Sequence, residues 1–196
     1  MPDLHVRQRN GILWLILDTH PRNHLTTAML EQLSTSLHKA CQKPPRLIVL
    51  TGTGEEAFAT GIDQDSTSEQ QHQHIVEAAH QIEESLATLR AQNIPTVAVI
   101  KGLAQGAGCE LAVLCETIFA REDAVLRLPS ASDSIFPGTL LRILPALPGK
   151  GTMERLVESA ETLNARQALQ LGLVHQVLPT RRFLQDTEEL LTMLVA

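Results

Sequence analysis

Short apolar runs and amphipathic stretches alternate along this chain, punctuated by turns rich in glycine, proline and polar residues. Val6 to Asp18 reads as two strands around Asn10-Gly11, a residue pair suited to a tight hairpin because both tolerate positive φ. Thr26 or Thr27 is placed to cap a helix running to about Cys41, with Met29, Leu30, Leu33 and Leu37 on one face. Pro44-Pro45 ends that connection, and Leu47-Ile48-Val49-Leu50 follows as a buried strand. Thr51 to Gly54 turns the chain into Ala57–Asp63. The polar segment Gln64–His74 reads as a loop before a long helix carrying Ile75, Ala79, Ile82, Leu86 and Leu89 on one side. A strand–turn–helix unit spans Ile94 to Cys115, with short strands near Thr117–Ala120 and Ala124–Leu128. A proline-rich turn region covers 129–149. Helices are expected near Met153–Ser159, Ala165–Leu171 and Thr180–Val195. Strands alternating with helices predict an α/β domain built on parallel crossovers.

Composition narrows the function classes. The 196 residues are 43% apolar and 19% charged, as in an ordinary globular protein, and no repeat or composition break divides them, so one domain is expected over 1–196. A net charge of −6 without a basic run argues against a nucleic-acid partner. The N-terminal residues lack the charged and apolar regions of a signal peptide, and no apolar run reaches the roughly 18 residues a membrane helix needs. Cys41, Cys109 and Cys115, odd in number and in apolar contexts, read as reduced core thiols. Together these features predict a cytoplasmic protein without a membrane partner.

Residues 102–116 carry the most chemistry. The run Thr96–Ile100 reads as a buried strand, Gly102, Gly106 and Gly108 follow, and an apolar helix starts at once. This order aims the unpaired N–H groups of a helix start at open space, where developing negative charge is stabilised. Glu110 lies in that helix's first turn. A carboxylate there can simply be a dipole partner. Its neighbours Cys109 and Leu111 to Leu114 are apolar, however, and a buried carboxylate is costly unless paired or in a cleft. Burial also raises its pKa toward values useful for proton transfer.

Phe58-Ala59-Thr60-Gly61-Ile62-Asp63 is by itself a strand ending in a glycine turn, with Asp63 able to cap a following helix. Two such turns after strands of one sheet can also direct two backbone N–H groups at one carbonyl oxygen. That is oxyanion-hole geometry, in which a single donor is typically worth about 3 kcal/mol in the transition state.

These residues resemble the crotonase family of enoyl-CoA hydratases and isomerases. Phe58–Asp63 is similar to that family's Phe-x-Ala-Gly-x-Asp motif, with Thr60 in place of the usual Ala, and Gly102–Glu116 is similar to its second motif. Asp18–Leu30 resembles the loop and helix that hold the CoA nucleotide, and Leu163–Pro179 resembles the late Ala-x-x-Ala-x-x-x-Gly-Leu-Val signature. The resemblance covers about residues 5 to 180. It implies the ββα superhelix of the ClpP/crotonase class, with the C-terminal helical extension truncated after about residue 180. It assigns the two oxyanion donors to the N–H groups of Ile62 and Ala107 and the first catalytic glutamate to Glu110. Arg22 and His24 fall where the family approaches the CoA phosphates and adenine, although a plain surface loop accounts for them equally. The resemblance also implies that Thr60, Gly61, Asp63 and Gly106 line the site that binds the CoA thioester.

The chain departs from the family pattern at Ser130, where a second glutamate is expected after Pro129. A serine cannot serve as a carboxylate base near neutral pH without an activating partner. Asp133 can supply a carboxylate if the loop bends inward, or it is a turn-forming residue between Ser132 and Ser134. His72 and His74 form a His-x-His pair, but no Cys, Asp or Glu spacing completes a metal site, so a solvated mobile loop is expected. The resemblance implies that this loop borders the acyl pocket, which leaves a substrate-gating role open. The resemblance implies an acyl-CoA or acyl-carrier-protein thioester as substrate, CoA as the substrate's carrier with no separate cofactor, and assembly as a homotrimer or hexamer. Hydration, isomerisation and decarboxylation all fit a single carboxylate. The alternative is a catalytically silent binding or partner subunit that keeps the thioester pocket. A serine hydrolase is disfavoured by the absence of a Gly-x-Ser-x-Gly elbow.

Overall fold

The computed structural model describes residues 3–62, 69–129, 134–136 and 162–195. The expected helix at 153–159 and most of the proline-rich region at 129–149 lie outside them. The hairpin forms as expected, from β1 (Leu4–Arg9) and β2 (Ile12–Leu17), with Asn10 and Gly11 both at positive φ. Three further strands, β4 (Leu47–Gly52), β6 (Thr96–Ile100) and β8 (Thr117–Arg121), extend it in parallel, and β11 (Gln176–Leu178) closes a six-stranded sheet. The second sheet contains β3 (His24–Leu25), β5 (Ala57–Ile62), β7 (Leu103–Gln105), β9 (Val125–Arg127) and β10 (Thr162–Asn164).

Strand alternation divides the core. In β4 and β6, Ile48, Leu50, Ala98 and Ile100 face the main interior, while Leu47, Val49, Val97 and Val99 face a second cluster containing Phe183 and Leu191. Those last two residues come from α5 (Phe183–Leu194), which covers that side of the large sheet. Both faces of these parallel strands are therefore buried, which accounts for their unbroken apolar sequences.

Helix α1 (Thr27–Gln42) is capped by Thr26, whose hydroxyl accepts from the Met29 N–H at 3.1 Å. It buries Met29, Leu30, Leu33, Leu37 and Ala40, so the expected face is the observed one. Helix α2 (Glu69–Ala91) packs on it, and the Ser34 hydroxyl donates to Gln81 Oε1 at 2.8 Å across the pair. Here the loop expected to run to His74 is corrected, because residues 69–74 already belong to α2. Glutamine, glutamate and histidine at these positions bring neither Gly nor Pro to stop a helix. His72 and His74 therefore sit on its first turns, with His74 Nδ1 3.8 Å from Glu31 Oε1 of α1.

Helix α3 (Ala107–Leu114) has every residue buried. Gly108 has no space for a side chain, because a Cβ there would run into the carbonyl of Ala59 in β5. The smallest residue thus sets how closely α3 can lie against β5. Helix α4 (Ala165–Gln170) starts with a reciprocal capping box between Asn164 and Gln167.

Candidate active site

The site is built where β5 and β7, parallel neighbours in the smaller sheet, reach their C-terminal ends side by side. Strand β5 ends at Gly61-Ile62, and β7 leads through Gly106 into α3. The direct run from glycine turn to helix expected after Gly102 is corrected, since β7 lies between them. Gly106 has φ 56° and donates its N–H to the Arg127 carbonyl at 2.9 Å, fixing the chain as it turns into the helix.

The two motifs meet at their glycines. A Cβ built on Gly61 would lie 4.0 Å from the Ala107 nitrogen, and one built on Gly106 would lie 3.4 Å from Gly61 Cα. Ala107 opens α3, so its N–H has no acceptor one turn earlier within the helix. The N–H groups of Ile62 and Ala107 thus belong to backbone segments in contact, at the positive end of a helix.

Glu110 follows one turn on and has no exposed surface. Its backbone N–H donates to the Gly106 carbonyl at 3.1 Å, so the carboxylate is tied to the same turn as the donor pair. The side chain is held from residues 134–136: the Ser134 hydroxyl donates to Oε1, and the Ile135 N–H donates to Oε2 at 3.2 Å. Burial pushes the Glu110 carboxyl up from 4.5 to about 7, opposed by these bonds and one from the Phe136 backbone and reinforced by Glu83 of α2. Both protonation states are then populated near neutral pH, as proton transfer in both directions requires. The adjacent Cys109 thiol is pushed up to about 12 by burial and by the charge of Glu110, so it stays protonated.

A second group gathers beside Gly61. Thr60, buried in β5, places its hydroxyl 2.8 Å from His24 Nδ1 and 3.3 Å from the Arg22 carbonyl oxygen. The two-residue β3 pairs here with β5, His24 opposite Thr60. The Arg22 guanidinium is exposed, with Nε 3.9 Å from Glu56 Oε2. Arg22, His24, Thr60, Gly61 and Gly106 are thus brought to one end of the smaller sheet. Asp63, Ser130 and Asp133 lie outside the described residues.

Ser134 is the contact that sequence reasoning missed. It stood there only as the neighbour of a turn-forming Asp133, and a serine in a Ser-Asp-Ser run carries no signal that its hydroxyl meets a glutamate 24 positions earlier. Among the described residues, no group of three or more His, Cys, Asp or Glu side chains is arranged to hold a metal ion. No helix among them is long and apolar enough to cross a membrane.

The chain is similar in sequence and in fold to known proteins. The chain is 35% identical over 185 residues to the 2,3-dehydroadipyl-CoA hydratase of Escherichia coli, covering 92% of this chain and 71% of that protein. It is 32% identical over 186 residues to the putative enoyl-CoA hydratase/isomerase YngF of Bacillus subtilis, covering 93% and 72%. The crystal structure of an enoyl-CoA hydratase from Bacillus anthracis superposes with a TM-score of 0.81 at 26% identity, over 98% of this chain and 76% of that one. Sequence similarity thus runs along most of the chain, together with similarity of fold. The enoyl-CoA hydratase/isomerase family profile matches residues 7–196, and the protein belongs to that family.

Proposed function

We propose that the protein is an enzyme that processes an acyl-CoA thioester through an enolate. The observation that carries this reading is the placement of Glu110, fully buried and with its carboxyl at about 7, one turn beyond the Ala107 N–H that lies beside Gly61. The N–H groups of Ile62 and Ala107 polarise the thioester carbonyl and stabilise the negative charge that forms on its oxygen. Glu110 takes or returns a proton on the acyl chain, and its near-neutral pKa lets it do either. Arg22 and His24, with Thr60 fixing the β3 segment against β5, form the side of the site that receives the CoA nucleotide. The reading extends to hydration or isomerisation of a 2-enoyl or 3-enoyl chain and to assembly as a homo-oligomer, with a trimer as the expected state.

A silent binding subunit has no need of an ionisable group at this position. Retaining a fully buried carboxylate costs stability and is understandable if the group works. The test is turnover of crotonyl-CoA and a panel of enoyl-CoA esters by wild type and Glu110→Gln, with binding followed by calorimetry. The reading requires that the variant bind the esters and fail to turn them over. Wild-type binding without turnover of any ester would instead establish the silent subunit.

A further inference from the structure

We propose that Ser134 is the positioning residue for Glu110, its hydroxyl donating to the carboxylate and turning to accept from the carboxylic acid, so that the side chain keeps one place through both protonation states. This inference rests on the reading of Glu110 as the group that moves the proton.

The contacts divide by what each can do. Glu110 meets the Ser134 hydroxyl at Oε1 and the Ile135 N–H at Oε2, with the Phe136 backbone as a further donor. A backbone N–H donates and cannot accept, so those two partners can bond the oxygen that stays unprotonated but cannot take the acid's hydrogen. A serine hydroxyl is both donor and acceptor and rotates freely about its Cβ–Oγ bond. Among these three partners, only Ser134 can receive the hydrogen of a protonated Glu110. When the carboxylate takes a proton, that hydrogen points at Ser134 Oγ and the serine hydrogen swings away; when the proton leaves, the hydroxyl turns back. No bond to carbon is made or broken at Ser134, so its part is geometric and electrostatic.

The location makes such a partner valuable. Glu110 has no exposed surface and lies in a helix whose residues are all buried, so its hydrogen-bonding needs fall on protein partners. A buried acid left without an acceptor, or a buried carboxylate left short of a donor, is penalised, and the side chain then seeks another rotamer. Among the described residues, the ionisable groups bearing on Glu110 are Glu83 from α2, whose charge favours the protonated form, and the Cys109 thiol, which stays neutral. Neither can take the place of a hydroxyl that answers to both forms.

The experiment is a pH titration of the Glu110 side-chain carboxyl by 13C NMR, on protein carrying 13C-labelled glutamate and with Glu110→Gln identifying the resonance. Wild type, Ser134→Ala and Ser134→Thr are compared, their folding checked by thermal unfolding. Loss of the donor in Ser134→Ala should move the midpoint up by about one pH unit, and Ser134→Thr, which keeps a hydroxyl, should restore it. With crotonyl-CoA, Ser134→Ala should lower kcat by roughly tenfold or more while KM stays within about twofold. An unchanged midpoint in Ser134→Ala, or a threonine variant that behaves like alanine, overturns the proposal. The titration needs no turnover, so its failure is distinct from failure of the proposed function, which would show as undiminished turnover in Glu110→Gln.

Discussion

Gly108 lies directly on the carbonyl group of Ala59, so close that a single added carbon has no room between helix and strand. The contact joins the two motifs at their bases, holding α3 against β5 where Ala107 and Ile62 present their N–H groups. Substitution to alanine should act on structure and chemistry together. The obstacle is backbone, which cannot swing aside like a flexible side chain, so α3 must move. Gly108→Ala is expected to lose about 2–3 kcal/mol of stability and on the order of 100-fold in kcat, read by urea unfolding and by turnover. Gly54→Ala, at φ 68° but with open space around its Cβ, should show only the backbone strain, about 1 kcal/mol, and normal turnover.

Glu110 should make stability fall as pH rises. Its carboxyl titrates at about 7 in the folded protein against 4.5 when unperturbed. Between those values the folded protein holds a proton that the unfolded chain has released, so the cost of ionisation grows from 4.5 upward and is complete above about 7. Glu110→Gln has no such cost. The stability difference between variant and wild type should therefore shift in the variant's favour with rising pH, by on the order of 3 kcal/mol in all. Urea-unfolding midpoints of both proteins across this range measure it.

Asp18 works in the opposite sense. His5 Nε2 at 2.6 Å and the Thr53 hydroxyl at 2.8 Å hold its carboxyl below the usual carboxylate range. A lowered folded pKa contributes stability that is present above the unfolded value of 3.8 and is lost as pH falls from there through the folded value. The group is partly exposed, so the contribution is at most about 1 kcal/mol. Asp18→Asn should lose that amount near neutrality and show a flatter acid limb in a stability–pH curve.

Asn23 is fully buried at φ 53°, and its side-chain amide donates to the carbonyls of Ala57 at 2.9 Å and Thr53 at 3.0 Å. It ties the loop carrying Arg22 to the start of β5. Asn23→Ala leaves those carbonyls without that donor and places a Cβ-bearing residue with no polar side chain in the left-handed region. The expected loss is about 3 kcal/mol, measured by chemical denaturation.

Much of this was legible in the chain. Long elements with a clean period, such as α1 with Met29, Leu30, Leu33 and Leu37, follow from the spacing of apolar residues, and the hairpin follows from Asn10-Gly11. The second glycine motif was legible for a related reason, since Gly106 is demanded by backbone conformation and Gly108 by close approach. What escaped was short or non-local. His24–Leu25 is a strand because β5 lies beside it and Leu103–Gln105 because β5 and β9 flank it, and two or three residues carry no period of their own. The start of α2 escaped because Glu69 to His74 has no apolar face to display, its helicity coming from continuity with the buried stripe that begins at Ile75. Ser134 escaped because a hydrogen bond between distant residues leaves no mark in either local sequence.

The central claim is that Glu110 moves a proton at a carbon activated by the Ile62 and Ala107 N–H groups. Exchange of the α-hydrogens of butyryl-CoA with deuterium from D2O, followed by proton NMR, tests this directly, since it reports enolate formation whatever the net reaction. Wild type should catalyse the exchange, and Glu110→Gln should slow it by roughly 100-fold or more while binding the ester normally. Exchange at the wild-type rate in Glu110→Gln would contradict the account.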